Sequence, residues 1–439
     1  MAFQALTDRE RSDIHAGALR VLEEVGLLAP KALVAQLRER GVGTGDTGDR
    51  LRLSRASVEA ALARAPGTLR LGARGAGRET ILDGRRSHAA TDGCGAKVVD
   101  LDTGNVRPSI LADVAHSARL TDALAEFDVY WMMVSAQDVP RDRRVPLEYL
   151  TALRNTVKHI QMIDVARREE AEQLVRMARL LNDQGIVNGP PVSALISVVS
   201  PLRLDPDGTE AALTLAAAGL PVVCCSMTIA SVTAPATSAG NLLLAHAEAL
   251  AFITIIETLH PGAPVIYCSF ASFADPRTGA TNYDDPRTTW TAAAAAELGR
   301  SLKIPCFSSG GLLAMLAKPD LLSGGGLIET STILSYEQML IDHEALRDCR
   351  LAAAAQAVSA ETLAEDVIRT VGPGGHFLAQ KHSVRHMKEF VVPKFAGDRE
   401  RARQEARRLI ASHAVEPLPP AVDAALEQLA SATSSFTVH

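Results

Sequence analysis

The chain has 439 residues, 47% of them hydrophobic, which is ample for a large core and excludes disorder as its main character. Lys and Arg number 45 against 51 Asp and Glu, and the formal charge of −6 argues against a dedicated nucleic-acid binder with its basic stripe. Six cysteines with no CxxC pair are too sparse for a disulfide scaffold and read as small buried hydrophobes.

The opening MAFQALTDRERSDIH is charged within ten residues and shows no signal peptide. Apolar windows such as Ala211–Ser226 are broken by Gly219 and Pro221 and fall short of a membrane span. A soluble, cytoplasmic protein is expected, with no membrane and no nucleic-acid partner. Thr7 and Glu10 form a capping box, and Ile14, Ala18, Val21, Leu22 and Val25 then recur at helical spacing up to Gly26. A second helix carries Leu33 and Leu37, and Ser54 caps a third that runs to Pro66. Thr68–Leu71, Thr80–Leu82 and Ala96–Val99 alternate like strands and predict one small antiparallel sheet. Residues 1–107 thus read as a separate layer.

After Pro108 the rhythm becomes strand–helix–strand. Seven short apolar runs follow: Asp128–Ser135, Lys158–Asp164, Val192–Ser200, Pro221–Thr228, Pro264–Phe270, Ile304–Ser309 and Asp320–Gly324. Helical patterns such as Glu169–Leu181, Ala239–Leu259 and Thr288–Leu302 separate most of them. Such alternation predicts a parallel sheet buried on both faces, and with one more strand a TIM (β/α)8 barrel over residues 108–395. An open doubly wound sheet is the runner-up, but no strand runs into GxGxxG. Residues 396–439 read as a helical tail, its charge run a solvated face.

A barrel places its site at the carboxyl ends of the strands. Here those ends are mostly small and hydroxylic: Ser135, Ser200, Ser226, Thr228, Ser269, Ser308 and Ser309, with Asp164 the clearest acid. Such a rim suits positioning more than proton transfer. His382 and His386 have a metal-like i, i+4 spacing, but Ser383 stands where HExxH needs Glu, so no metal site is assigned. The Gly-rich turns 323–326 and 372–375 fall where barrels build late-loop phosphate grips. Trp131, Tyr267, Phe270, Phe273 and Phe307 lie in or just past strands and could hold a quaternary ammonium by cation–π attraction.

Several blocks, in order along nearly the whole chain, carry a resemblance: TDGCGAKVVDLDTGNVRPSILADVAHSARLTDAL, SPLRLDPDG, ATSAGNLLLAHAEALAFITIIETLHPGAPVIYCSF, SYEQMLIDHE and GPGGHFLAQKHSVRHMKEFVVPK. They resemble the trimethylamine methyltransferase (MttB-type) family. The resemblance implies a TIM-barrel enzyme that passes a methyl group from a methylamine to the cobalt of a corrinoid (cobalamin) held by a carrier protein, with no cofactor tightly bound to the barrel itself. A homo-oligomer is also expected.

Two departures qualify it. Trimethylamine-specific members carry a pyrrolysine at the end of a middle strand; here that region reads Ser308-Ser309-Gly310-Gly311. Relatives also continue with a segment like SDAKxxDxQAGxEK, whereas Gly311 runs straight into LLAMLAKPDLLSGGG. The first points to a member lacking pyrrolysine that demethylates a quaternary amine such as glycine betaine; the second shortens the barrel's sixth helix, opens its rim and speaks for a protein that binds without turnover. The alternatives are a non-catalytic quaternary-amine binder and a barrel enzyme using a phosphate grip. Substrate contacts are expected at Ser200, Ser226, Ser269, Phe270, Phe273, Ser308, Ser309 and Gly310, with His376 holding a substrate carboxylate.

Overall fold

The computed structural model describes residues 4–43, 48–354, 357–395 and 397–432. Eight parallel strands form the core: β1 (His88–Ala89), β2 (Val129–Trp131), β3 (His159–Met162), β4 (Val192–Val198), β5 (Val222–Ala230), β6 (Val265–Ala274), β7 (Cys306–Ser309) and β8 (Leu321–Ser323). Their spatial order is β1-β8-β7-β6-β5-β4-β3-β2. Between β2 and β1 the ring closes through a parallel bridge, Ala90 to Val129, and the Asp128 N–H donating to the Ala89 carbonyl at 2.7 Å. A helix follows each strand in turn: α1 (Leu111–Ala123), α2 (Arg141–Asn155), α3 (Arg168–Asp183), α4 (Pro206–Ala217), α5 (Ser238–Leu259), α6 (Pro286–Ser301), α7 (Leu312–Ala317) and α8 (Tyr336–Ala353). The molecule is the predicted TIM barrel, and all seven predicted runs contribute strands.

The eighth strand begins before the boundary drawn at Pro108. Strand β1 reads only His-Ala, too short to show a period, and lies inside the stretch read as the N-terminal layer. It also splits the small sheet predicted there. Leu69–Leu71 pairs antiparallel with Thr80–Leu82, and this hairpin closes the amino end of the barrel, where the Gly72 N–H donates to Pro190 O and the Arg74 N–H to Val157 O, both at 2.8 Å. Lys97–Val99 instead joins Val106–Pro108, Ile333–Leu334 and Leu327–Ile328 in a separate sheet. That sheet is built from the loops after β1 and β8, so it stands over the opposite, carboxyl end. Because β1 carries the chain from one end to the other, the two pieces cannot share a sheet.

Asp8–Arg20, Lys31–Glu39 and Arg55–Arg64 are the N-terminal helices, the first and third capped by Thr7 and Ser54 as the sequence predicts. They pack on α5, which is apolar on every side and buried along almost its whole length. By length and composition α5 could cross a membrane; here it is a core helix. Arg40 donates to the carbonyls of Thr258 and Leu259 at 3.1 and 3.0 Å, closing the carboxyl end of α5 with the charge its dipole favours. In the tail, Arg399–Ser412 buries Ala402, Ala406 and Ile410; most of its charges face outward, but Arg403 turns inward to pair with the buried Glu337.

Candidate active site at the carboxyl end of the barrel

Strand parity decides which side chains face the barrel interior. On β5 and β6, Met227 and Phe270 line a cavity of about 640 Å³ at the carboxyl end, and Cys225 and Cys268 lie below them with sulfurs 3.3 Å apart. The opposite parity faces the helices. Ser226 donates to Glu248 of α5 at 2.6 Å, and Tyr267 bonds His246 of the same helix at 2.9 Å.

This rule sorts the predicted contacts. Phe270, Ser309 and Gly310 line the cavity. Ser226, Ser269 and Phe273 share the outward parity, and the Ser308 hydroxyl donates to the Ala292 carbonyl of α6 at 2.8 Å. Ser200 donates to the same Glu248 oxygen as Ser226, also at 2.6 Å, so these two hydroxyls tie strand ends to α5. The Phe273 ring already carries a cation, the Arg287 guanidinium, 4.2 Å from its centroid. His376 lies exposed between the short helices Glu365–Val371 and Lys381–His386 and is not among the cavity-lining residues. A strand end thus offers half its side chains to the pocket, and reading every hydroxyl as a contact overcounts.

The inner wall is aromatic. Phe307 of β7 makes edge contacts with Trp131 of β2 and Phe270 of β6, at centroid distances of 5.4 and 5.5 Å and an angle of 71° to each. Thr91 fixes Trp131: its hydroxyl donates to the Trp131 carbonyl at 2.7 Å and accepts the Trp131 N–H at 2.9 Å. Gly93 lies on the indole so closely that a Cβ there would come within 2.5 Å of Cε2. We expect Gly93→Ala to cost ~1–3 kcal/mol by overpacking. Urea unfolding would measure this, and the emission of Trp131 in a Trp290→Phe background would shift as the ring is displaced.

Beside this wall stands Asp92, just past β1. Its carboxylate accepts the Ser331 hydroxyl at 2.5 Å and the Gly93 N–H at 2.9 Å. Burial pushes the Asp92 carboxyl up to about 6, against the lowering effect of these two hydrogen bonds. Cys94 also lines the cavity, and desolvation, then the Asp92 and Asp164 carboxylates, push its thiol up to about 12. After β6 the chain folds back through Thr281–Asn282 and brings Tyr283 and Asp284 to the cavity mouth, opposite Glu329.

Asp164, the acid expected at the rim, accepts a hydrogen bond from Ser135 and faces a separate small cavity with Arg141, Arg144 and Glu170. Behind it the Glu148 carboxyl is pushed up to about 8, chiefly by burial. The glycine turn at 323–326 does not form a phosphate grip: the Gly326 N–H donates to Asp342 at 2.8 Å, and Asp92 stands alongside, its own N–H donating to Gly325 O. The turn at 372–375 is exposed and lies outside the cavity lining.

Sequence reasoning missed Asp92, Tyr283, Asp284 and Glu329. For Asp92 the signal was faint: Asp-Gly-Cys-Gly is a glycine turn of the kind that follows a strand, but only Ala89 and Ala90 precede it as apolar residues. With β1 unrecognised, the barrel-rim rule was never applied there.

A profile of the family described as trimethylamine methyltransferase (MTTB) matches residues 1–433. Trimethylamine methyltransferase MttB of Desulfitobacterium hafniense (strain DSM 10664 / DCB-2) is 28% identical over 463 aligned positions, which cover 97% of this chain and 93% of the relative. Glycine betaine methyltransferase of D. hafniense (strain Y51) is also 28% identical, over 97% of this chain and 96% of its own. Both alignments run longer than the 439 residues of this chain, so these relatives carry residues that it lacks. Among solved structures, the monomethylamine methyltransferase (MtmB) of Methanosarcina barkeri shares the fold, with a TM-score of 0.50 and 13% identity over 93% of each chain. The chain belongs to the trimethylamine methyltransferase (MTTB) family.

Proposed function

We propose that the protein moves a methyl group from a quaternary amine to the cobalt of a corrinoid carried by a partner protein. The observation that carries this reading is a cavity at the barrel mouth with an aromatic wall and a carboxylate. Trp131 and Phe270 present ring faces and edges, Asp92 presents the anion, and no Lys, Arg or His is among the cavity-lining residues. Stripping a quaternary cation of water is costly, and rings and a carboxylate offset that cost.

The chemistry suits this inventory. When a quaternary ammonium gives up a methyl group, the bonding pair stays on nitrogen, which leaves as a neutral tertiary amine. No proton is needed, so a wall whose carboxylates hold the cation and move no proton can serve. The corrinoid supplies the methyl acceptor. The chain holds the cation, excludes water along the Met227–Phe270 face and leaves the mouth open for approach in line with the N–CH3 bond. Ser309 and Gly310 line the cavity at the end of β7, where the resemblance would put an activating residue in trimethylamine-specific members. The β7–β8 connection holds only the six-residue α7. This favours a second reading, a binder without turnover.

One assay separates the readings. Purified protein, a corrinoid carrier and cob(I)alamin are mixed with a panel of amines, and cobalt methylation is followed by absorbance. Methylation from quaternary amines is expected; turnover of trimethylamine alone contradicts the proposal, and binding without methylation assigns a binder.

A further inference from the structure

We infer that the substrate is a quaternary ammonium monocation with a neutral, oxygen-bearing substituent of the choline type, and not a zwitterion such as glycine betaine. The inference rests on the proposed quaternary-amine reading and narrows it. Its ground is the charge around one cavity. Asp92, Asp284 and Glu329 line it, while its lining residues include no cationic side chain. A trimethylammonium group gains from every one of these charges, but a carboxylate a few ångströms along the same molecule is opposed by all of them. His376, the residue expected to receive such a carboxylate, lies outside the cavity lining.

A second, independent observation points to a neutral oxygen. Trp131, 2% exposed, has an indole Nε1–H with no hydrogen-bond partner, and the buried Thr288 hydroxyl oxygen has none either. Both residues line the cavity. Buried donors left unpaired are costly; both are shielded from water, and a substrate hydroxyl that moved the wall enough to reach either one would pair with it without bringing a negative charge toward Asp92. The relatives whose names specify glycine betaine or trimethylamine are only 28% identical, which leaves ample room for a different cavity wall.

Calorimetric titration of the intact protein with choline, tetramethylammonium and glycine betaine tests this without a corrinoid. Choline is expected to bind at least about tenfold more tightly than glycine betaine. Asp92→Asn, which keeps an oxygen to accept the Gly93 N–H and turns an NH2 to the Ser331 hydroxyl, whose oxygen can accept it, is expected to weaken choline binding about tenfold and to narrow its preference over betaine. Betaine binding as tightly as choline to the wild type would overturn the inference and leave the quaternary-amine reading standing. Failure of all three to bind would overturn both. A preference for choline unchanged in a folded Asp92→Asn would remove the charge argument on which the inference stands.

Discussion

Trp131→Ala is expected to raise the dissociation constant for a quaternary ammonium ion roughly thirtyfold, the equivalent of a desolvated cation–π contact of about 2 kcal/mol. The indole lines the cavity, is almost wholly buried and is braced by Phe307 on one side and Gly93 on another. Truncation also removes core packing, so a stability loss of ~3–5 kcal/mol should accompany it. Trp131→Phe separates the two effects. It keeps an aromatic face against Phe307 and loses Nε1, so most of the cation affinity should return, while affinity for an oxygen-bearing substituent should not. A folded Trp131→Ala with unchanged affinity would place the ammonium group elsewhere in the cavity.

The contrast between β6 and β1 shows what a single sequence reveals of this barrel. Strand β6 is a ten-residue apolar run closed by Pro264 before it and a turn after it, and β5 reads the same way; buried on both faces, they need no alternation and stand out by composition. Strand β1 is two residues long and is recognisable only by its neighbours, Leu321 and Leu322 of β8, which lie far along the chain. The barrel was therefore legible and its starting point was not. For the site the obstacle is parity. Phe270 and Ser309 could be read as rim residues, but an unbroken apolar strand carries no mark of which face turns inward, so Ser226, Ser269 and Phe273 looked equivalent to them. Two of the outward hydroxyls find their partners on helices: Glu248 for Ser226, Ala292 for Ser308. The resemblance supplied family and fold. It did not supply Asp92, whose role depends on Ser331 arriving from the loop after β8.

Between pH 7.5 and 5, two histidines buried in the neutral form are expected to withdraw about 4 kcal/mol of stability, while the raised carboxyls of Glu148 and Asp92, which take up protons in the fold, act in the opposite direction over the same range. His159 of β3 bonds the Gly72 carbonyl at 3.0 Å and the Ser193 hydroxyl at 2.9 Å, and burial pushes it down to about 4. His246 of α5 lies between the Tyr267 hydroxyl at 2.9 Å and the His15 ring at 3.0 Å; burial, then the His15 charge, push it down to about 3. In each case the folded value lies below the unfolded one near 6.5, so the unfolded chain binds the proton more readily. Stability is complete above about pH 6.5 and is lost as pH falls toward the folded values. At pH 5 the loss is about 2 kcal/mol for each histidine by linkage, a large share of a typical ~5–15 kcal/mol. His159 locks the hairpin to the amino end of the barrel and His246 locks the N-terminal helix, through His15, to α5, so the two losses fall on opposite sides of the core. Urea unfolding at pH 7.5, 6 and 5 measures the slope. His246→Gln, which keeps a neutral hydrogen-bonding side chain, should remove its own ~2 kcal/mol of acid loss between pH 7.5 and 5, whatever its effect at pH 7.5. A slope that His246→Gln leaves unchanged would show that His246 does not carry its share of the acid sensitivity.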